Sequence, residues 1–141
     1  MEPGRKRRWA IAPEASCVKI RVLLVDDHVM VRQGLRTTLE SYSDIEVVGE
    51  AGDGQEAVEL AEDLKPEVVI MDIHMPNMNG IEATVGIKSR HPGMKIVALS
   101  VNADGDNEGA MLRAGAETLL SKEAALDELY RAIRQALSKV T

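Results

Sequence analysis

The segment Lys19-Ile-Arg-Val-Leu-Leu-Val-Asp-Asp27 decides how this chain folds. Its apolar run ends at Val25 without alternating polar positions, and such a run is typical of a strand covered on both faces. Two carboxylates follow directly where the run ends. Strands of this kind belong to parallel sheets with helices on both sides, so the rest of the chain is expected to alternate strands and helices.

The remaining sequence follows that pattern. The predicted strands span 19–25, 45–51, 67–71, 95–99 and 117–120. The predicted helices span 29–41, a stretch from Asp53-Gly54 to just before Pro66, 80–90, about 107–114 and 124–138. Helical spacing places Val85 of the third helix and Leu126 of the fifth helix in the core. Together these segments predict an α/β fold with an open, doubly wound parallel sheet of five strands.

Composition excludes several classes of protein. The 141 residues suit one domain, and 45% apolar with 28% charged residues is typical of a globular protein. Phe is absent and only three other aromatic residues occur, which argues against a protein that stacks nucleic-acid bases. The single cysteine, Cys17, excludes an internal disulfide. No apolar run approaches a membrane span and no secretory signal is visible, so a cytoplasmic location without membrane contact is expected.

Charge divides the chain into two parts. Residues 1–18 carry four basic and two acidic side chains, a net charge of +2, and are interpreted as a flexible basic leader or linker. Because the whole chain carries −6, residues 19–141 carry −8 and form the folded domain. An acidic body repels phosphate backbones, so no contact between this domain and nucleic acid is expected.

Polar side chains follow four of the predicted strands where each strand ends. They are Asp26-Asp27, Asp72, Ser100 and Ser121-Lys122. Each alone is commonly a turn, a helix cap or a solvated charge. In open parallel sheets, however, ligand sites lie beyond the carboxyl ends of the strands. We therefore expect three carboxylates, a hydroxyl and an ammonium to converge at this edge.

The electrostatics of such a cluster indicate its chemistry. Three neighbouring carboxylates repel one another unless a proton or a cation is bound. Mg²⁺ with oxygen ligands removes this repulsion and keeps positions open for water or a phosphoryl group, and Mn²⁺ is an alternative ion. With the ammonium of Lys122 opposite, the cluster is suited to bind phosphoryl groups. A carboxylate can serve as the nucleophile and form an aspartyl-phosphate.

Four segments resemble the receiver domain of two-component response regulators. They are Val-Leu-Leu-Val-Asp-Asp at 22–27, Val-Val-Ile-Met-Asp-Ile-His-Met-Pro-Asn-Met-Asn-Gly at 68–80, Ala-Leu-Ser at 98–100 and Ala-Gly-Ala followed by Lys within 114–122. The Asp-Asp-His sequence and Val-Arg-Gln-Gly-Leu at 31–35 are most similar to the NarL/FixJ-type branch. The resemblance covers about residues 19–139 and implies a flavodoxin-like (β/α)5 fold with strand order 2-1-3-4-5.

The resemblance also implies roles for individual residues. Asp72 is expected to accept a phosphoryl group from a phosphohistidine of a sensor histidine kinase. Asp27, Asp72 and the backbone carbonyl of His74 are expected to bind Mg²⁺ directly, and Asp26 through water. Lys122 is expected to contact the phosphate. The resulting protein is a phospho-switch with slow auto-dephosphorylation rather than a turnover enzyme.

Signal output is expected to involve positions at which this chain departs from many receivers. Ser100 matches the switch hydroxyl, but Leu119 stands where many receivers have a coupling aromatic residue. Glu123 replaces a common proline after the lysine, so a cis peptide bond is not expected there. His74 and Asn102 flank the phosphoryl group in this family and are expected to set the lifetime of the phosphate.

Other functions remain as alternatives. A phosphatase of the haloacid-dehalogenase type would need a second acid at position 74, where this chain has His74. A flavodoxin-like FMN protein would place its phosphate against Asp26 and Asp27, which repel it. A phosphorylation-independent interaction module would not require the complete polar set.

The sequence leaves the context of the domain open. A stand-alone receiver, a fragment of a regulator with a DNA-binding domain, and a receiver from a hybrid kinase are all compatible with it. Receivers commonly pair through helix faces, and a homodimer would use Tyr130 and Arg134 of the last helix as rim residues.

Overall fold

The computed structural model describes residues 18–101 and 105–138. Of the predicted leader, only Val18 lies in this part, where it is exposed. Asn102, expected to tune the phosphate lifetime, lies outside the described residues. Within them, no helix combines the length and the apolar content that crossing a bilayer requires.

Five parallel strands form one sheet. They are β1 (Ile20–Val25), β2 (Ile45–Ala51), β3 (Val68–Asp72), β4 (Lys95–Ser100) and β5 (Thr118–Ser121). Their order across the sheet is β2-β1-β3-β4-β5, as the resemblance implied. The central strand β3 is buried along its whole length, which explains its unbroken apolar sequence.

Five helices alternate with the strands. They are α1 (Val29–Glu40), α2 (Gly54–Leu64), α3 (Gly80–Arg90), α4 (Gly105–Ala114) and α5 (Lys122–Ser138). The predicted strand and helix positions are confirmed, with differences of a few residues at their ends. Helix α5 begins two residues earlier than predicted, so Lys122 is its first residue rather than a loop residue.

The helices cover both faces of the sheet. Leu24 of β1 packs in one apolar cluster with Leu39 of α1 and Leu129 of α5. Its neighbour Leu23 points to the opposite face and packs with Ile87 of α3 in a second cluster, which α2 and α4 also line. Alternating side chains of buried strands thus fill two separate cores, and both are aliphatic as expected from the lack of Phe.

Two residues expected in the core lie at the surface. Val85 is 54% exposed and Ala83 of the same helix is buried in its place. Leu126 is 51% exposed, whereas Ala125 beside it is fully buried. In both helices the face toward the sheet carries alanine, because small side chains let the helix approach the sheet closely. Apolar spacing alone therefore predicted the wrong residue to be buried in each of these helices.

Local capping fixes the loops near the carboxyl edge of the sheet. Asp53 caps α2 by accepting a hydrogen bond from the backbone N–H of Glu56. Asn79 and Glu82 form a reciprocal capping box at the start of α3. Gly115, with φ of +122°, terminates α4.

Gly80 is the point at which α3 meets β3. Its N–H donates to the carbonyl of Ile73 at 2.8 Å. A Cβ at this position would lie 2.1 Å from the backbone oxygen of Asp72, a distance that backbone atoms cannot accommodate without moving. The close approach positions the loop after β3 beside Asp72.

The space available for a side chain differs between Gly80 and Gly34, although both lie in helices. Gly80→Ala is expected to lower the free energy of unfolding by about 1–3 kcal/mol because the backbone must shift. Gly34→Ala has open space around its Cβ and is expected to raise stability by about 0.5–1 kcal/mol through helix propensity. Urea unfolding of both variants measures these changes. A neutral or stabilising Gly80→Ala would contradict the close approach.

Candidate functional site: an acidic cluster at the carboxyl edge of the sheet

Asp26 and Asp72 lie side by side because they end neighbouring strands. Asp26 follows β1, and its N–H donates to the carbonyl of Ala51 at 3.0 Å, which extends the pairing with β2 by one residue. Asp72 is the last residue of β3 and pairs in register with Leu99 of β4. Both side chains are buried, with 1% and 2% of their surfaces exposed. The sheet therefore holds two carboxylates in a place that water reaches poorly.

The ammonium of Lys122 bridges these two carboxylates. Its Nζ lies 2.8 Å from Oδ2 of Asp26 and 3.1 Å from Oδ2 of Asp72. Lys122 is the first residue of α5 and directly follows β5, so its side chain reaches across the end of β4. One cation thus compensates part of the negative charge that two strand ends bring together.

Asp27 and His28 form the outer part of the cluster. Asp27 is 30% exposed, and its Oδ1 lies 3.2 Å from Nδ1 of His28. Ligand atoms of Asp26, Asp27, His28 and Asp72 all lie within 4.8 Å of one another. Three carboxylates and an imidazole at this spacing fit the donor set of a divalent cation, so the cluster can bind a metal ion.

Burial changes the protonation of Asp72. Desolvation, followed by the charge of Asp26, raises the pKa of Asp72 to about 6. Lys122 and the backbone N–H of His74, which lies 3.2 Å from Oδ1 of Asp72, oppose this rise. Without a further cation, part of the Asp72 population therefore takes up a proton near neutrality, as the predicted repulsion requires.

The neighbouring carboxylates hold Lys122 in its charged form. Burial by itself lowers the pKa of Lys122. The hydrogen bonds and charges of Asp26 and Asp72 outweigh the burial and hold that pKa above its usual value. Lys122 therefore carries a fixed positive charge at the cluster.

The structure brings most of the predicted site residues to this edge. Ser100 ends β4 opposite Ser121 and is 2% exposed. His74 follows β3 with its side chain at the surface. Leu119 of β5 is half-buried and packs against the core that α2, α3 and α4 cover. No cis peptide bond occurs in the described part of the chain, so the bond between Lys122 and Glu123 is trans as expected.

Sequence reasoning did not place His28 and Arg32 in the site. His28 directly precedes α1, and its Nδ1 lies 3.0 Å from Oδ1 of Asp26. Arg32 of α1 donates to the backbone carbonyl of Asp26 and, at 3.0 Å, to Oε1 of Glu50. His28 lies two positions and Arg32 six positions after Asp26 in the sequence. This proximity is the signal that could have pointed to both contacts once β1 is known to end at Val25.

Comparison with known proteins decides the family. The profile of the response regulator receiver domain matches residues 22–134, which is most of the chain. The chain belongs to the response regulator receiver family. As a receiver domain it is a module of two-component systems, and neither the dehalogenase-type phosphatase nor the phosphorylation-independent module is favoured.

Relatives and solved structures agree with this assignment. The receiver is 48% identical to the transcriptional regulatory protein LiaR of Bacillus subtilis over 117 residues, which are 83% of this chain and 56% of LiaR. It is 43% identical to the response regulator GacA of Pseudomonas viridiflava over 115 residues, which are 82% of this chain and 54% of GacA. The chain thus spans about half the length of the curated relatives that it matches.

Solved receiver structures have the same fold. The response regulator domain of CheB from Thermotoga maritima superposes with a TM-score of 0.81 at 38% identity, covering 87% of this chain and 99% of that domain. A response regulator of the LuxR family from Aurantimonas superposes with a TM-score of 0.81 at 33% identity, covering 85% of this chain and 86% of that one.

The raised pKa of Asp72 makes the stability of the metal-free receiver depend on pH. The folded state binds the Asp72 proton more tightly than the unfolded state, in which the pKa is near 3.8. The resulting stabilisation is complete below pH 3.8 and is lost as the pH rises through about 6. Between pH 5 and pH 7.5, Asp72→Asn should gain about 1 kcal/mol of stability relative to the unmodified protein.

Urea unfolding in EDTA at the two pH values measures this gain. Asp63→Asn is the matched control, because Asp63 is exposed and lies in the last turn of α2, before β3 begins, whereas the cluster lies where β3 ends. The same pH dependence in both variants would show that Asp72 is not the carboxylate that resists ionisation.

Proposed function

We propose that Asp72 is the phosphoacceptor of this receiver and takes its phosphoryl group from a phosphohistidine of a sensor histidine kinase. The main support is the geometry of Asp72, a buried carboxylate at the end of the central strand with an ammonium 3.1 Å from one of its oxygens. A carboxylate oxygen attacks phosphorus, the P–N bond to the kinase histidine breaks, and its electron pair returns to the imidazole. The product is an aspartyl-phosphate.

The neighbouring residues position the reacting groups and balance their charge. Lys122 lies where it can contact the incoming phosphoryl oxygens while it remains paired with Asp26. The N–H of His74 donates to Oδ1 of Asp72 and limits the rotation of that carboxylate. Catalysis of this kind consists mainly of positioning and charge neutralisation.

A divalent cation is part of the proposal. Asp27, Asp72 and the backbone carbonyl of His74 would bind Mg²⁺ directly, with Asp26 acting through water, and Mn²⁺ would bind in the same way. When bound, the ion supplies positive charge to the phosphoryl oxygens in the transition state. The carboxylate-rich donor set supports a hard cation of this kind.

The phosphorylated state is proposed to act as a switch rather than as an intermediate of a turnover enzyme. Ser100, at the end of β4, would move toward the phosphoryl group, and Leu119 of β5 would carry this change toward the surface without an aromatic ring. His74 and Asn102 would set how quickly water removes the phosphate. We place this signalling in the cytoplasm, where kinases and their ATP are available.

The proposal also covers three classes of partner: a kinase, nucleic acid and a second copy of the chain. The kinase is the expected partner, and the acidic body of the domain supports the absence of nucleic-acid contact. A homodimer through Tyr130 and Arg134 is a further proposal. Within one chain, both side chains donate hydrogen bonds to Asp44, at 2.7 and 3.2 Å. Tyr130 also stacks on Tyr42, with ring centroids 3.9 Å apart.

Incubation with acetyl phosphate and Mg²⁺ tests the phosphoacceptor. The protein should gain the mass of one phosphoryl group, and Asp72→Asn should gain none because it lacks the nucleophile. Asp63→Asn should behave like the unmodified protein. Intact-protein mass spectrometry records all three, and a gain that survives Asp72→Asn or persists in EDTA would contradict the proposal.

Lys122 is expected to act on the phosphoryl group and not on the metal. Lys122→Met removes a cation that competes for Asp26 and Asp72, so Mg²⁺ should bind at least as tightly as before. Phosphorylation by acetyl phosphate should nevertheless slow by about tenfold or more, since one charge on the transition state is lost. Calorimetry and the rate of mass gain separate the two effects, with Lys19→Met at the surface as the control. A parallel loss of metal binding and rate would assign Lys122 a structural role.

A further inference from the structure

His28 points a ring nitrogen at the acidic cluster, and the proposed phosphorylation gives it no task. Its Nδ1 lies 3.0 Å from Oδ1 of Asp26, 3.2 Å from Oδ1 of Asp27 and 3.4 Å from Nζ of Lys122. The side chain is nevertheless 60% exposed, so it can rotate without disturbing the core. Its ring thus lies on the open side of the site, opposite the buried carboxylates.

An imidazole changes which metal ions a carboxylate cluster prefers. Mg²⁺ favours oxygen ligands and octahedral geometry, and it retains several waters. Zn²⁺ accepts nitrogen and carboxylate ligands in a tetrahedron, and it binds mixed sites of this kind more tightly. We propose that His28 makes this receiver a site for an inhibitory Zn²⁺ ion, held by His28 together with Asp26, Asp27 and Asp72. This inference rests on the proposed function, because it uses the same carboxylates.

The spacing of the ligand atoms supports a four-ligand site. Two atoms bonded to one Zn²⁺ at about 2.1 Å are about 3.4 Å apart in a tetrahedron and can never be more than about 4.2 Å apart. The four candidate atoms lie within 4.8 Å of one another. Closure therefore needs movements of less than about 1 Å. Asp27 and His28 are the exposed members and can make these movements while Asp26 and Asp72 stay fixed.

Occupation by Zn²⁺ would oppose phosphorylation. Four protein ligands complete a tetrahedral site and leave no position for a phosphoryl oxygen, whereas a Mg²⁺ site keeps such positions open. Binding of Zn²⁺ also requires Lys122 to release both Asp26 and Asp72, whereas Mg²⁺, bound to Asp26 through water, requires it to release Asp72 alone. Selectivity for zinc therefore depends on His28, since it is the one nitrogen donor among the four ligands.

Calorimetric titration of the full chain with ZnCl₂ and with MgCl₂ tests the role of His28. All proteins carry Cys17→Ser, so that the single thiol does not bind zinc. His28→Asn is expected to weaken Zn²⁺ binding by about tenfold or more and to change Mg²⁺ binding by less than about twofold. His91→Asn is the control, because His91 contacts Glu62 and not the acidic cluster, and it should leave Zn²⁺ binding within about twofold.

Nitrogen NMR of the histidine rings provides a readout that does not depend on affinity. The Nδ1 resonance of His28 should shift on addition of Zn²⁺ and remain in place with Mg²⁺. An unshifted His28, or a loss of zinc affinity that follows His91 instead, would overturn the assignment of His28 as a ligand.

Phosphorylation in the presence of zinc separates this inference from the proposed function. With acetyl phosphate and saturating Mg²⁺, added Zn²⁺ should stop the mass gain, and His28→Asn should need about tenfold more Zn²⁺ for the same inhibition. Equal inhibition of both proteins would overturn the zinc site and leave the phosphoacceptor intact. A protein that gains no phosphoryl group with Mg²⁺ alone would contradict the proposed function, while the zinc titration would still test His28.

Discussion

The ion pair between Lys122 and two buried aspartates is the interaction on which the functional edge depends. Asp26 and Asp72 end neighbouring strands, so the sheet forces their charges together before any ligand binds. Desolvation and mutual repulsion make two ionised carboxylates unfavourable here, and for this reason they raise the pKa of Asp72. Lys122 offsets part of this cost from the start of α5. A site with unsatisfied negative charge is ready to bind a cation, and a bound cation in turn prepares it for a phosphoryl group.

The scaffold around this pair is rigid where the site needs precision. Gly80 brings α3 against the backbone of Asp72, and Arg32 ties the carbonyl of Asp26 to Glu50 of β2. These contacts fix the two strand ends from opposite sides of the sheet. In contrast, Asp27 and His28 are exposed to solvent, with 30% and 60% of their side-chain surfaces accessible. The cluster thus combines a fixed inner half with an adaptable outer half, which is useful for a site that must admit both an ion and a phosphoryl donor.

Most of the fold and of the inner site could be predicted from the sequence. Unbroken apolar runs such as that of β3 identify buried parallel strands, and polar residues directly after them identify the ligand edge. The errors in the predicted core have one physical origin, because burial in a helix depends on distance to the sheet as well as on polarity. Val85 and Leu126 were assigned to the core, yet Ala83 and Ala125 occupy it. His28 and Arg32 were missed because their contacts depend on where the side chains turn after β1, and periodicity does not report this.

A crystal structure of the receiver with Mg²⁺ and beryllium fluoride tests the central claim most directly, since beryllium fluoride mimics an acyl phosphate on a carboxylate. We expect beryllium fluoride to be bound to the carboxylate of Asp72 and Mg²⁺ to lie between Asp27 and Asp72. We expect Nζ of Lys122 to contact a fluorine atom. Beryllium fluoride on another side chain, or an ion bound away from the ends of β1 and β3, would contradict the assignment of this edge as the phosphorylation site.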